Sequence, residues 1–375
     1  MTKLVISGGG TGGHIYPALS IADGIRRRWP DTEILYIGAK SGMESRIVPE
    51  AGYSFRGIKA AGWQGRKPLA LINALKSDHS GRKEAADLIS AWKPQAVIGT
   101  GGFVCLPVAM AAVQKHIPVY IHEQNAYPGM TNRMIANWAR GIMLSFEESA
   151  KHFPYFSRRK TSVTGLPVRE SITGADRSGA LAFFQLKEDK KTILVAGGSL
   201  GAEHINRAML YVIEQLYGST DTQVLFATGR RDYEQMVEEL TVAGMTRDAM
   251  AGAESNIRML PYIDRMDLAY AAADIFIGRA GASTLAEITL CGLPAVLIPY
   301  PRASENHQAY NAASLAARGG AMLMEDQGLS GSALISILGE LLNDGDRLQA
   351  MAACSNQAAY GRALEDILDI LAEVM

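Results

Sequence analysis

The sequence predicts an α/β protein of two Rossmann-like domains, each built on a parallel sheet. Short apolar runs alternate with helical stripes along the chain, the pattern of strand–helix–strand units with helices on both faces of a sheet. A strand that enters a glycine-rich loop and leaves as a helix occurs twice, in KLVISGGGTGGHIYPAL (3–19) and KTILVAGGSLGAEHINRAML (191–210). A length of 375 residues gives room for two cores of ordinary size.

Taken in order, the first half offers strands at 3–7, 33–38, 95–99, 118–122 and 141–145. Its first helix carries Ile15, Ala18, Leu19, Ala22 and Ile25, the spacing of a face packed on a sheet. The second half restarts at 191 and offers strands at 222–228, 256–262, 274–278 and 294–299. Residues 161–190, rich in Gly, Pro and polar side chains, read as the linker, and the last 20 residues as one amphipathic helix.

Composition narrows the class. Hydrophobic residues make up 48% and charged residues 20%, as in a soluble globular protein. No apolar run reaches the ~18 residues of a membrane span, and the N-terminus has no signal-peptide anatomy. Cys105, Cys291 and Cys354 are scattered and form no zinc spacing, which points to a reduced cytosolic chain. The net charge of −1 hides a polarity. Residues 1–165 hold 21 Lys+Arg against 11 Asp+Glu (+10), and residues 166–375 hold 16 against 27 (−11). A basic half suits an anionic partner, nucleic acid or membrane surface, although uneven surface charge alone gives the same count.

Gly8, Gly10 and Gly13 satisfy G-x-G-x-x-G. A dinucleotide site also needs an acid at the end of the second strand, and that strand ends Gly38-Ala39-Lys40. Asp31 and Glu33 lie at its wrong end, so the loop reads instead as an anion site at a helix N-terminus. His14 falls in the first helical turn, facing the crevice or packing the helix start. In GGSLGA (197–202), Ser199 suits a phosphate contact or a helix N-cap. In RAGASTLAE (279–287), Glu287 suits a ribose diol, with a Thr284-x-x-Glu287 capping box equally compatible. TGGFVCLP (100–107), HEQNAYPG (122–129) and SENHQ (304–308) follow further strands, and they put Glu123, Gln124, Asn125 and Gln308 at strand ends, where sugar hydroxyls would need mixed donors and acceptors.

The sole D-x-D, Asp344-Gly345-Asp346, reads as a turn with a helix cap, and no metal site or cofactor is expected. Zinc hydrolase, serine hydrolase and P-loop signatures are missing from the sequence. In 63–83, Leu69, Leu71, Ile72 and Leu75 stand among Arg66, Lys67 and Lys76, the make-up of an interfacial helix on anionic lipid or of an ordinary amphipathic helix.

GGGTGGHIYPAL, GTGGFVCLP, HEQN, GLPVR, GGSLGA, RAGASTLAE and NHQAYNA occur in the order seen in the MurG family. The resemblance runs from residue 8 to residue 313, and several motifs together make it specific. It implies a GT-B fold, two Rossmann-like domains facing a central cleft. Residues 1–164 would form the acceptor and membrane-facing domain, 165–355 the UDP-GlcNAc domain, and 356–375 a helix returning to the first. It implies metal-independent, inverting transfer of GlcNAc from UDP-GlcNAc to undecaprenyl-pyrophosphoryl-MurNAc-pentapeptide, peripheral on the cytoplasmic face of the cell membrane and without nucleic acid.

By motif, Ser199 and Arg169 would bind the donor phosphates and Ile263 the uracil. Ala282, Ser283, Thr284, Leu285, Ala286 and Glu287 would line the nucleotide, with Glu287 on the ribose. Gln308 and Asn125 would hold GlcNAc hydroxyls, and Thr11, Gly12 and Gly13 would close on the phosphates. Two positions depart from the family, Leu166 where Asn is common and His307 where some members have Gln. His14 is the expected general base, with Glu123 as the alternative. A GT-B glycolipid synthase, a UDP-GlcNAc epimerase, a dinucleotide oxidoreductase and a silent nucleotide-sugar module are the competing readings.

Overall fold

A computed structural model describes residues 1–60, 68–198, 201–245 and 255–375, with the backbone alone over 68–78 and at 170. The chain forms two compact units, Met1–Val168 with Tyr360–Met375, and Arg169–Ala359.

The strands of the first unit are β1 Lys3–Ser7, β2 Glu33–Ala39, β3 Ser54–Ile58, β4 Ala96–Gly99, β5 Val119–Glu123, β6 Gly141–Leu144 and β7 Thr161–Val163. They form a sheet in the order β3-β2-β1-β4-β5-β6-β7, and every pairing is parallel. Both faces are covered, so the strands read as continuous apolar runs whose side chains alternate between two cores. Leu4 and Ile6 pack with Ile98, Tyr120 and Met143 on one face, and Val5 packs with Leu35, Val97 and Ile121 on the other.

The second unit repeats the plan with β8 Lys191–Ala196, β9 Thr222–Ala227, β10 Ile257–Leu260, β11 Ile275–Gly278, β12 Ala295–Leu297 and β13 Ala321–Leu323. Its order is β10-β9-β8-β11-β12-β13, again all parallel.

The units meet at Val168/Arg169, within residues 161–190, and that segment is itself structured: Thr161–Val163 is β7, and Arg177–Phe183 is a helix capped by Asp176, which accepts from Gly179 N–H at 2.8 Å. The last 20 residues are not one helix. The helix Gly345–Gln357 ends in the second unit, and Ala363–Leu371 forms a separate helix in the first. There Ile367, Leu368 and Leu371 enter the core beside Ile15 and Ile21, and Arg28 pairs with Asp369 at 2.6 Å. Strands β3, β7 and β13 add to those that the sequence predicts.

Candidate active site

In each sheet the strand order reverses beside the first strand, at β1/β4 and at β8/β11. Doubly wound sheets hold ligands at such switch points, beyond the carboxyl ends of the strands. The first glycine loop ends β1 and opens the helix Gly12–Arg28, whose first turn has no acidic residue and no side-chain cap. The loop after β4 closes against it. Gly102 has φ of +84° in the left-handed region, and a Cβ there would lie 2.1 Å from Gly9 O. Gly9 N–H donates to Gly101 O at 3.3 Å, and the Thr100 hydroxyl donates to His14 O at 2.7 Å.

His14 is half-buried with its ring against Gly101, where a Cβ would meet Cδ2 at 2.9 Å. Its Nδ1 lies 3.1 Å from Gly9 O and 3.2 Å from Thr11 Oγ1. A carbonyl oxygen only accepts, so Nδ1 carries the hydrogen and Nε2 carries the lone pair of the neutral ring.

The HEQN segment ends β5. Glu123 is buried, and its carboxyl accepts four N–H groups. Oε1 takes Asn125 N at 2.9 Å and Asn125 Nδ2 at 3.2 Å, while Oε2 takes Asn132 Nδ2 at 2.8 Å and Gly129 N at 3.0 Å. Burial raises its pKa against those donors. Both oxygens are thus engaged in shaping residues 124–132 and in orienting Asn125. His122 is fully buried, with Nε2 2.9 Å from Gly165 O and Nδ1 3.0 Å from Gln124 Nε2, and desolvation pushes its pKa down to about 4. Asn132, which no motif marked, bridges Glu123 and the His122 carbonyl (3.2 Å) and borders Gly101 beside His14. Its one visible signal is a lone amide in a short helix, MTNRMI.

In the second unit the helix Ala282–Leu290 begins just beyond β11. Its N-cap is Gly281 and no side chain caps it, so the capping-box reading of Thr284 and Glu287 is wrong. The amides of Ala282, Ser283 and Thr284 form its open first turn, while Leu285 turns into the core. Glu287 lies one turn further on, where Oε2 accepts the Tyr270 hydroxyl at 2.9 Å and Oε1 is 3.8 Å from Arg169 Nη2. Burial raises the pKa of Glu287, opposed by Tyr270 and Arg169. The fold thus joins Arg169 of GLPVR to Glu287 of RAGASTLAE. Tyr270, also unmarked by any motif, is buried and fixes the carboxyl.

Gln308 is the second residue of a neighbouring helix, His307–Ala317, and its Oε1 accepts Tyr300 N–H at 2.9 Å, which fixes the amide with its NH2 as the hydrogen-donating end. Asn311 of that helix donates to Ala280 O at 3.2 Å and ties it to the RAGA turn. Ile263 is buried just past β10, two strand spacings or ~10 Å from β8. Leu166 is buried and holds no polar contact, and His307 Nδ1 donates to Ser304 O at 2.6 Å. Ser199 lies outside the described residues, and the helix after its loop is capped at Ala202. Arg66 and Lys67 also lie outside them, as do the side chains of Leu69, Leu71, Ile72, Leu75 and Lys76. Asp344 caps Arg347 N–H at 2.9 Å. Among the described residues, no group of three His, Cys, Asp or Glu side chains is placed to hold a metal ion. No described helix is long and apolar enough to cross a membrane.

Residues 4–144 match the glycosyltransferase family 28 N-terminal domain, and residues 192–367 match the glycosyltransferase family 28 C-terminal domain. The chain is 44% identical over 373 residues to the UDP-N-acetylglucosamine–N-acetylmuramyl-(pentapeptide) pyrophosphoryl-undecaprenol N-acetylglucosamine transferase of Desulforamulus reducens, covering 100% of this chain and 99% of that one. The chain belongs to the MurG family. A second relative of the same description, from Halothermothrix orenii, is 43% identical and covers 98% of each chain. The crystal structure of MurG from Acinetobacter baumannii superposes with a TM-score of 0.79 at 27% identity, covering 100% of both chains. As a MurG-family member the chain has the GT-B fold class, with two Rossmann-like α/β domains, and it is a glycosyltransferase of peptidoglycan synthesis.

Proposed function

We infer that this chain moves GlcNAc from UDP-GlcNAc to the 4-hydroxyl of lipid-linked MurNAc-pentapeptide, converting lipid I to lipid II. The observation that carries the reading is the full-length match to transferases of that description. The second unit binds the donor. Arg169, the open first turn at Ala282–Thr284 and the loop bearing Ser199 meet the diphosphate, Ile263 the uracil, Glu287 the ribose and Gln308 the sugar. The first unit receives the acceptor at Thr11–Gly13, which close on the donor and acceptor phosphates, and its Asn125 holds GlcNAc hydroxyls with Gln308.

In the transfer step the acceptor O4 forms a bond to the anomeric carbon as the bond from that carbon to the phosphate oxygen breaks. The electron pair leaves with UDP, and the configuration inverts from α to β. Nε2 of His14 takes the O4 proton, a contribution of roughly 10²–10⁴ in rate. Each donor to the departing diphosphate contributes ~2.7–4 kcal/mol, on the scale of oxyanion-hole losses. Glu123 serves as the organiser of the Asn125 loop. The reading involves no metal.

The first unit docks peripherally on the anionic cytoplasmic face of the membrane. Its charge supports this: Met1–Val168 with Tyr360–Met375 holds 22 Lys+Arg against 15 Asp+Glu, a balance of +7. So do Tyr155 and Phe156, 76% and 73% exposed and followed by Arg158, Arg159 and Lys160. Offering UDP-GlcNAc with a short-chain lipid I analogue or with diacylglycerol tests the assignment. The expected outcome is transfer to the lipid I analogue alone. Transfer to diacylglycerol, or donor binding without transfer to either, contradicts it.

A further inference from the structure

The donor and acceptor scheme leaves one buried acid of the first unit unused. Glu44 opens the helix Glu44–Glu50 and is 0% exposed. Its carboxyl lies under the first glycine loop, where Oε1 accepts Ala39 N–H at 2.9 Å and Oε2 accepts Gly10 N–H at 3.2 Å. Glycines make the space for it. A Cβ on Gly9 would lie 2.2 Å from Oε1, and one on Gly42 would lie 2.4 Å from both oxygens.

Gly10 N–H belongs to the same peptide group as Gly9 C=O. That carbonyl is the acceptor of His14 Nδ1–H, at 3.1 Å. In a trans peptide the two groups point in opposite directions. One rigid plane therefore has Glu44 on its N–H and His14 on its C=O. A peptide polarised at its N–H accepts more strongly at its oxygen, so the two bonds reinforce each other. Carboxyl groups commonly fix a working imidazole by direct contact, and here a single peptide stands between them. The same contact turns the Gly10 amide away from any phosphate and leaves anion binding to the first turn of the helix.

We propose that Glu44 is a positioning residue for the transfer reaction, acting through the Gly9–Gly10 peptide to hold His14 with its hydrogen on Nδ1 and its lone pair on Nε2. This rests on the reading of His14 as the base.

The test uses the full chain labelled with ¹⁵N-histidine and compares Glu44→Gln, Gly42→Ala and His14→Ala. Gln keeps one acceptor but sets its NH2 against a backbone N–H. The Gly42→Ala methyl displaces the carboxyl without removing it. The imidazole signal lost in His14→Ala identifies His14. In the parent it reports Nδ1–H, and in either other variant it shifts toward mixed tautomers. The kcat of Glu44→Gln falls at least ~10-fold, while KM for UDP-GlcNAc stays within ~2-fold. Adding Glu44→Gln to His14→Ala costs less than ~2-fold more. A parent-like tautomer with kcat within ~2-fold in Glu44→Gln overturns the proposal. If that variant does not fold, the same result in Gly42→Ala overturns it. Near-normal turnover of His14→Ala removes the base assignment instead, and the tautomer signal still decides whether Glu44 positions the ring.

Discussion

Acid should loosen the first unit through His122. The ring is fully buried at the end of β5, donating from Nε2 to Gly165 O, and desolvation pushes its pKa from 6.5 to about 4. The unfolded chain takes up a proton near pH 6.5, whereas the folded chain resists until about pH 4. The stability contribution is therefore complete above the unfolded value and is lost as pH falls through this window. At ~1.36 kcal/mol per pKa unit the whole loss is about 3 kcal/mol, of which about 2 falls between pH 7.5 and 5. His122→Gln keeps an N–H donor for Gly165 and does not titrate. Trp29, Trp63, Trp92 and Trp138 all lie within residues 1–168, so tryptophan fluorescence during urea unfolding reports the first unit. The parent should lose about 2 kcal/mol more than His122→Gln on going from pH 7.5 to 5. The difference cancels the slope of Glu123, whose raised pKa acts with the opposite sign, stabilising the fold as pH falls. Equal losses in the two proteins, within ~0.5 kcal/mol, would refute the assignment of a neutral buried ring.

Three further outcomes follow from the same geometry. His14→Ala should lower kcat by roughly 10²–10⁴ with UDP-GlcNAc affinity retained, measured by steady-state kinetics and calorimetry. Glu287→Ala should raise KM for UDP-GlcNAc by roughly 10- to 150-fold, the loss of ~1.5–3 kcal/mol of charged hydrogen bonding, with a smaller change in kcat. Leu371→Ala empties a fully buried position between the C-terminal helix and the first core, and it should cost ~2–5 kcal/mol in the tryptophan-monitored transition.

Sequence made the inner architecture legible, because strands buried on both faces read as unbroken apolar runs. Three edge strands escaped. SFRGI of β3 is half-exposed and carries Arg56 and Gly57, while TSV of β7 and AML of β13 span three residues each. The motif residues were legible because doubly wound sheets hold ligands at strand ends, and the glycine loops mark those ends. Their supports were not. Glu44, Asn132 and Tyr270 reach their partners across 34, 9 and 17 residues, contacts that exist only once the fold is formed. Thr284 and Glu287 matched a local capping pattern, but the turn out of β11 ends at Gly281, so the helix starts before that pattern can operate.

We infer GlcNAc transfer with inversion to a lipid-linked MurNAc. Its most direct test offers UDP-GlcNAc, UDP-Glc and UDP-Gal in turn with a short-chain lipid I analogue, with and without EDTA, and reads the product linkage by NMR. GlcNAc alone should be transferred, in a β-1,4 linkage and equally with EDTA. Comparable transfer of glucose or galactose, an α-linked product, or a rate abolished by EDTA would contradict it.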